Sequence, residues 1–191
     1  MSNEYIHKLR NSNGYYIDPA ISQDWLSQLG QPTNGTVYKA VITARAAYTL
    51  GIADAVVCWA VERGHLAAHY ESPAVTALSE GIANATVHGS LGVLGMDAYN
   101  DDPNGYFSAI NDRLADFAYA TLPIAIMLRV SLRRLWFHVE DTGRGAIDLR
   151  HPHPIKMPLL AGRGRKVMAA MAVRVRYTLN GRRTSMSFPH A

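Results

Sequence analysis

Three separated patches carry residue types that can do chemistry together. In the first, Glu80, Asn84 and His88 stand four residues apart within Glu80-Gly81-Ile82-Ala83-Asn84-Ala85-Thr86-Val87-His88. On a helix this spacing puts a carboxylate, a carboxamide and an imidazole on one face. In the second, Asp141-Thr142-Gly143-Arg144-Gly145 follows an alternating run. In the third, Gly162-Arg163-Gly164 opens a short helical run, followed by Arg165 and Lys166. Magnesium is a hard ion that keeps several waters and takes few protein oxygens, so Asn84 can supply one while phosphates supply others. Glu80, one turn earlier, can orient or deprotonate a nucleophile. His88 can reach water or phosphate, and is equally well read as a helix-end histidine. Asp141 can accept a hydrogen bond from an amino group such as that of adenine, and Gly143 and Gly145 permit close approach. Backbone N–H groups at the helix start after Gly162 can hold phosphate, with Arg163, Arg165 and Lys166 adding to the field. Together the patches suit magnesium-bound ATP; no one of them would be enough. The third is not a Walker loop, since Gly-Lys-Ser/Thr is absent, and it lacks the third glycine of a dinucleotide fingerprint.

The elements that must position these groups follow from periodicity. Residues 1–35 are polar and turn-rich and read as an N-terminal arm with one short helix near Ser22 to Leu29. Thr36 to Arg63, rich in Ala and Val, reads as helical with a break at Gly51. Ser72-Pro73 opens a second helix that runs to His88 and stops at Gly89. On its wheel Val75, Leu78, Ile82 and Thr86 form the core face and Glu80, Asn84 and His88 lie opposite. That polar stripe has no basic residue near it, because no Lys or Arg occurs from Gly64 through Asp112. Residues 89–122 read as an insertion, a loop and then a helix carrying Phe107, Ile110, Leu114 and Phe117 at helical spacing. The period becomes two at Ile124–Val130 and Leu135–Val139, an antiparallel pair joined around Ser131 to Arg134. A helix over Gly164–Ala172, with Val167, Met168 and Met171 inward, precedes two strands joined at Asn180-Gly181, a strong hairpin signal. Residues 36–191 thus make a single domain.

Charge is unevenly divided. Residues 1–128 hold 6 Lys/Arg against 12 Asp/Glu, a balance of −6, and residues 129–191 hold 13 against 3, a balance of +10, which sum to the net +4. The basic part can face nucleotide phosphates, nucleic acid or an acidic protein, or simply be solvated. No apolar run reaches the ~18 residues of a membrane span. The single cysteine, Cys58, excludes an internal disulfide and a cysteine metal cluster. With a polar start from Met1 to Arg10, these features lead to the expectation of a cytoplasmic protein.

The order of the patches resembles that of the GHKL ATPase superfamily, the Bergerat nucleotide fold of histidine-kinase catalytic domains, and within it the small anti-sigma-factor serine kinases. Ser79 to Gly89 resembles their N box, Val139 to Gly145 their G1 box, Gly162-Arg163-Gly164 their G2 box, and Gly181 to Phe188, with Thr184, their closing strand near adenine. The likeness covers roughly Thr36 to Phe188. It implies an α/β (α+β) two-layer sandwich, helices on one face of a mixed, mostly antiparallel sheet. It further implies Asn84 as the magnesium ligand, Glu80 as catalytic base, Asp141 on the adenine amino group, Gly162 and Gly164 around the phosphates, and 146–161 as a lid. The family's leucine after the second G2 glycine is Arg165 here, and 89–122 is longer than the usual connection. His65 and His69 lack the pattern that surrounds a phospho-acceptor histidine.

The expectation is therefore an ATP- and Mg2+-binding regulatory protein, an anti-sigma-like serine protein kinase in bacterial signal transduction. Its partners would be a sigma-like factor and a serine-bearing antagonist protein, and the family likeness implies a homodimer. One alternative is a non-catalytic ATP-binding adaptor or phosphorelay partner. Another is a basic nucleic-acid binder using Arg174, Arg176, Arg182 and Arg183, which no nucleic-acid fold signature accompanies.

Overall fold

The computed structural model describes residues 2–143 and 163–191. The chain forms α1 (Ser2–Arg10), β1 (Tyr15–Ile17), α2 (Gln23–Leu26), β2 (Thr36–Thr43), α3 (Ala44–Thr49), α4 (Ile52–Glu62), α5 (Glu71–Asn84), α6 (Pro103–Ala115), α7 (Phe117–Ala120), β3 (Pro123–Ser131), β4 (Arg134–Asp141), α8 (Arg163–Met171), β5 (Arg174–Thr178) and β6 (Arg183–Pro189). The sheet runs β1-β2-β3-β4-β6-β5. Only the β1–β2 pair is parallel among these neighbours. It is a mixed α/β two-layer sandwich, as expected.

Register explains the two faces of the sheet. Directly opposed residues share a face, so Ile42, Ile124 and Asp141 lie on one side, as do Ala40, Ile126, Val139, Thr184 and Tyr177. On this side Ile126, Phe137, Met186 and Phe188 meet Val56, Ala60, Ala77, Leu78 and Met168 of the helices in the main core. The second side carries Val41 and Ala125, which Ile21, Trp25, Leu26 and Leu29 cover.

The predicted helix over Thr36–Arg63 is corrected at its start. Thr36–Thr43 is a strand, buried from Tyr38 onward on both faces, and the helical part is α3 and α4, with the expected break at Gly51 between them. A run that is mostly apolar, here broken by Lys39, does not distinguish a buried helix from a strand buried on both sides. The β-branched Thr36, Val37, Val41, Ile42 and Thr43 suit the pleat. Thr43 ends the strand by capping α3, its Oγ1 accepting from the Ala46 amide at 3.2 Å.

Residues 2–35, expected as an arm, are built into the fold. β1 pairs with β2, and Leu9 of α1 is fully buried in the main core. Leu91, Val93, Ile110 and Leu114 of the insertion form a second, small core with Val87 and with Ala44 of α3. Phe107 and Phe117 do not join it; they are exposed. For Phe117 the reason is a break in helical phase: Asp116 caps a separate short helix, accepting from the Ala118 amide at 2.9 Å, so Phe117 no longer continues the face of α6. Asp102, in the acidic loop, likewise caps α6, with Pro103 in the first turn. Met168 is buried as expected, whereas Met171 is 40% exposed near the end of α8. The Asn180-Gly181 turn forms, with φ of 56° at Asn180 and 88° at Gly181.

Candidate functional site

The helix that carries the first patch is α5, and it continues past Asn84 as a π-helical turn, Ala85–Ser90. Such turns widen a helix locally and recur at functional sites. Small residues let this run lie close to the sheet. A Cβ on Gly81 would come 2.9 Å from Met186 Cε and 3.5 Å from Val139 Cγ2. A Cβ on Gly89 would come 2.4 Å from Asp141 Cγ. The π turn therefore rests directly on the Asp141 carboxyl.

Asp141 ends β4 on the helix side of the sheet and is 3% exposed. Its Oδ1 accepts from the Gly143 amide at 2.9 Å. Burial pushes its carboxyl up to about 7, against which the Gly143 amide and the nearby Arg182 act only partly. Gly143 is held just as closely: a Cβ there would come 2.1 Å from the Gly89 carbonyl oxygen. Directly after Gly89 and Asp141 in sequence, the hydroxyls of Ser90 and Thr142 are buried without a hydrogen-bond partner among the described residues. Buried hydroxyls are normally paired, so this end of the π turn gathers more polar capacity than the described chain satisfies. Thr184 lies on the same sheet face, opposite Val139 on one side and Tyr177 on the other.

The other end of the site lies where α5 meets α8. A Cβ on Gly164 would come 2.4 Å from Glu80 Oε2 and 3.4 Å from Asn84 Nδ2. The Glu80 carboxylate thus borders the first turn of α8, where the helix dipole favours a negative charge. Glu80 and Asn84 are half-buried, and the exposed neighbours on α5 are Ser79 and Ala83. Asn84 and Gly89 are five residues apart on one helical run, about 7 Å along its axis. The run thus links the Glu80–Gly164 contact to the Asp141–Gly89 contact.

Remaining predicted residues divide. The His88 Nδ1 lies 2.8 Å from the Val93 carbonyl of the insertion. A carbonyl only accepts, so Nδ1 carries the proton and Nε2 is the acceptor in the neutral ring. Arg163 begins α8 and is exposed. Arg165 stacks over Tyr177, its guanidinium carbon 5.3 Å from the ring centroid. Gly145, Gly162 and the expected lid 146–161 lie outside the described residues. Gly89, a helix stop by its sequence, instead lies inside the π turn, which runs to Ser90. Ser90 and Thr142 gave no signal, since a hydroxyl becomes notable only once buried.

Two cavities among the described residues lie away from this chemistry. One of about 250 Å³ lies among α3, α4 and α5, beside Tyr48, Ile52, Asp54 and Ile82. Another of about 240 Å³ lies by Tyr5, Tyr16 and Asp18. Neither is lined by Asn84 or Asp141, and the groups themselves, not cavity volume, mark the site. Among the described residues no cluster of three or more His, Cys, Asp and Glu side chains is placed to hold a metal. No helix among them is long and apolar enough to cross a membrane. No family model matches the chain, and no curated protein matches it either.

Proposed function

We propose that this chain binds ATP with Mg2+ between the α5–π run, the end of β4 and the start of α8, and acts as a regulatory serine protein kinase of the GHKL, anti-sigma type. The observation that carries the reading is the buried Asp141 carboxyl against Gly89, on the same helical run whose preceding turns bring Glu80 and Asn84 to Gly164. Orphaned hydroxyls at Ser90 and Thr142 support a polar ligand there.

In this reading Asp141 accepts a hydrogen bond from the purine amino group and Thr184 lines the same wall. The Asn84 amide oxygen would hold the cation, which would supply charge neutralisation for the phosphates. Glu80 takes the proton from the acceptor serine hydroxyl as that oxygen attacks the terminal phosphorus and the bond to the leaving ADP breaks. Arg163 and the amides at the start of α8 face the phosphates. A sigma-like factor, a serine-bearing antagonist and a second copy of this chain are the partners the reading names.

The test is a thermal shift with Mg-ATP on the full chain. At about 100 times the dissociation constant, ATP adds about 2.7 kcal/mol, and GTP under the same conditions adds less. Asn84→Ala and Asp141→Asn remove the shift. Absence of any nucleotide-dependent shift in the wild type refutes the proposal. Phosphate transfer that is unchanged in Glu80→Gln refutes the base role, and ATP binding without transfer to any serine-bearing partner supports the adaptor.

A further inference from the structure

The second face of the sheet is chemically unlike the first. Its row Arg129–Trp136–Ser187–Arg174 crosses β3, β4, β6 and β5 in register. Beside it run His138, Ser185 and Arg176, and beyond it toward the β3–β4 turn stands Arg134. Three strand spacings place Arg129 and Arg174 about 14 Å apart, and Arg174 and Arg176 are about 7 Å apart along one strand. The guanidinium carbon of Arg176 lies 5.1 Å from the Trp136 ring centroid. Trp136 and His138 stand with parallel planes, centroids 6.2 Å apart. In the middle of the row, Ser187 Oγ is buried with no partner among the described residues.

The only carboxylate that the described strands put on this face is Glu140, and it is engaged. It accepts from Arg183 Nε at 2.8 Å and from the Gly30 amide at 3.1 Å. Among the described residues the cover by Ile21, Trp25, Leu26 and Leu29 lies on the Val41–Ala125 side, while Arg129, Arg174 and Arg176 are exposed. None of Arg129, Arg134, Arg174 and Arg176 pairs with a carboxylate among the described residues. Arg129 is instead held by the Asn34 carbonyl at 3.0 Å.

We propose that the arginine-bearing half of the sheet's second face, Arg129, Arg134, Trp136, Arg174 and Arg176, binds single-stranded nucleic acid. Spaced arginines take phosphates, and the stacked Arg176–Trp136 pair offers a flat cationic surface for a base. An acidic protein segment would use the charges but gain nothing from the stack. The site is separate from the proposed nucleotide pocket, which lies on the other side of the sheet. Arg183, grouped with this surface from sequence alone, is occupied by Glu140 and is not part of it.

The test is fluorescence anisotropy of the full chain with labelled oligothymidylate and oligouridylate of about 20 nucleotides, alongside polyglutamate. Three to four phosphate contacts give a log–log salt slope of roughly −2 to −3. Arg174→Ala/Arg176→Ala, both at exposed positions, weakens binding roughly tenfold or more at about 50 mM salt. Arg129→Ala, on a different strand, flattens the slope by about 0.7, which guards against a folding defect in β5. Binding quenches tryptophan fluorescence, and Trp136→Phe removes the quench. Asp141→Asn binds the oligonucleotide as the wild type does. No saturable binding at low salt overturns the proposal, as does binding indifferent to the arginine variants or lost in Asp141→Asn. Arginine-dependent binding of polyglutamate without oligonucleotide binding also overturns it and assigns the face to an acidic protein.

Discussion

Replacing Asp141 by Asn should make the ligand-free protein more stable in mild alkali while removing its ligand. The carboxyl is 3% exposed, and burial raises it from an ordinary 3.8 to about 7. The folded state therefore holds a proton that the unfolded state has released between about pH 4 and pH 7, and stability falls as pH rises across that window. A difference of about 3 in pKa corresponds to about 4 kcal/mol at full ionisation. Between about pH 4.5 and pH 8 the part that appears is about 3 kcal/mol. The new carboxamide keeps the acceptor for the Gly143 amide but adds an N–H2 group, and an unsatisfied donor costs about 1–3 kcal/mol. That cost does not change with pH, so the change in ΔΔG between the two pH values isolates the ionisation. Urea melts of wild type and Asp141→Asn at about pH 4.5, 6, 7 and 8 read it directly. The variant should gain about 3 kcal/mol relative to wild type on going from the lowest to the highest pH. A change below about 1 kcal/mol, or one of opposite sign, refutes the claim that this carboxyl is buried at a cost. Groups kept at such a cost are characteristic of functional sites, and the nucleotide shift should vanish in the same variant.

Three further outcomes follow from contacts already described. Gly89→Ala must displace a buried carboxyl from 2.4 Å, so thermal melts should show a loss of about 1–3 kcal/mol together with loss of nucleotide response. Gly164→Ala meets only side-chain ends, the Glu80 carboxylate first and Asn84 Nδ2 at 3.4 Å, and no backbone, so its stability should stay within about 1 kcal/mol of wild type while ATP affinity falls, read by titration calorimetry. His138 is lowered to about 4, by burial first and then by Arg183 and Arg129, so its contribution is present above about pH 6.5 and is lost as pH falls toward 4. His138→Gln, which removes the titrating group but also its 2.8 Å contact with Ser185 Oγ, should flatten that acid-side loss by up to about 3 kcal/mol in melts at matched pH.

Local pattern alone gave the β3–β4 hairpin, the Asn180-Gly181 turn and the polar stripe of α5, and put Asp141 just past a strand of which it proves to be the last residue. These are properties of a few adjacent residues: side-chain alternation, a turn that needs positive φ, and four-residue spacing on a helix. The glycines of the site were visible as residues, but not what they touch; only packing showed Gly81 on Met186, Gly89 on Asp141 and Gly164 on Glu80. Thr36–Thr43 could not be told from a helix until its neighbours β1 and β3 were in place, because an apolar run buried on both sides has no period to read. Glu140 and Asp141 are adjacent in sequence and look alike there. The pleat sends one to each side of the sheet, so Glu140 is paired with Arg183 while Asp141 is left nearly alone against a glycine. The same alternation, acting across β3, β4, β5 and β6, gathers arginines from distant parts of the chain onto one surface. Sequence sets which residues alternate; the order and register of the strands decide which of them become neighbours, because that depends on hydrogen bonds between segments far apart in the chain.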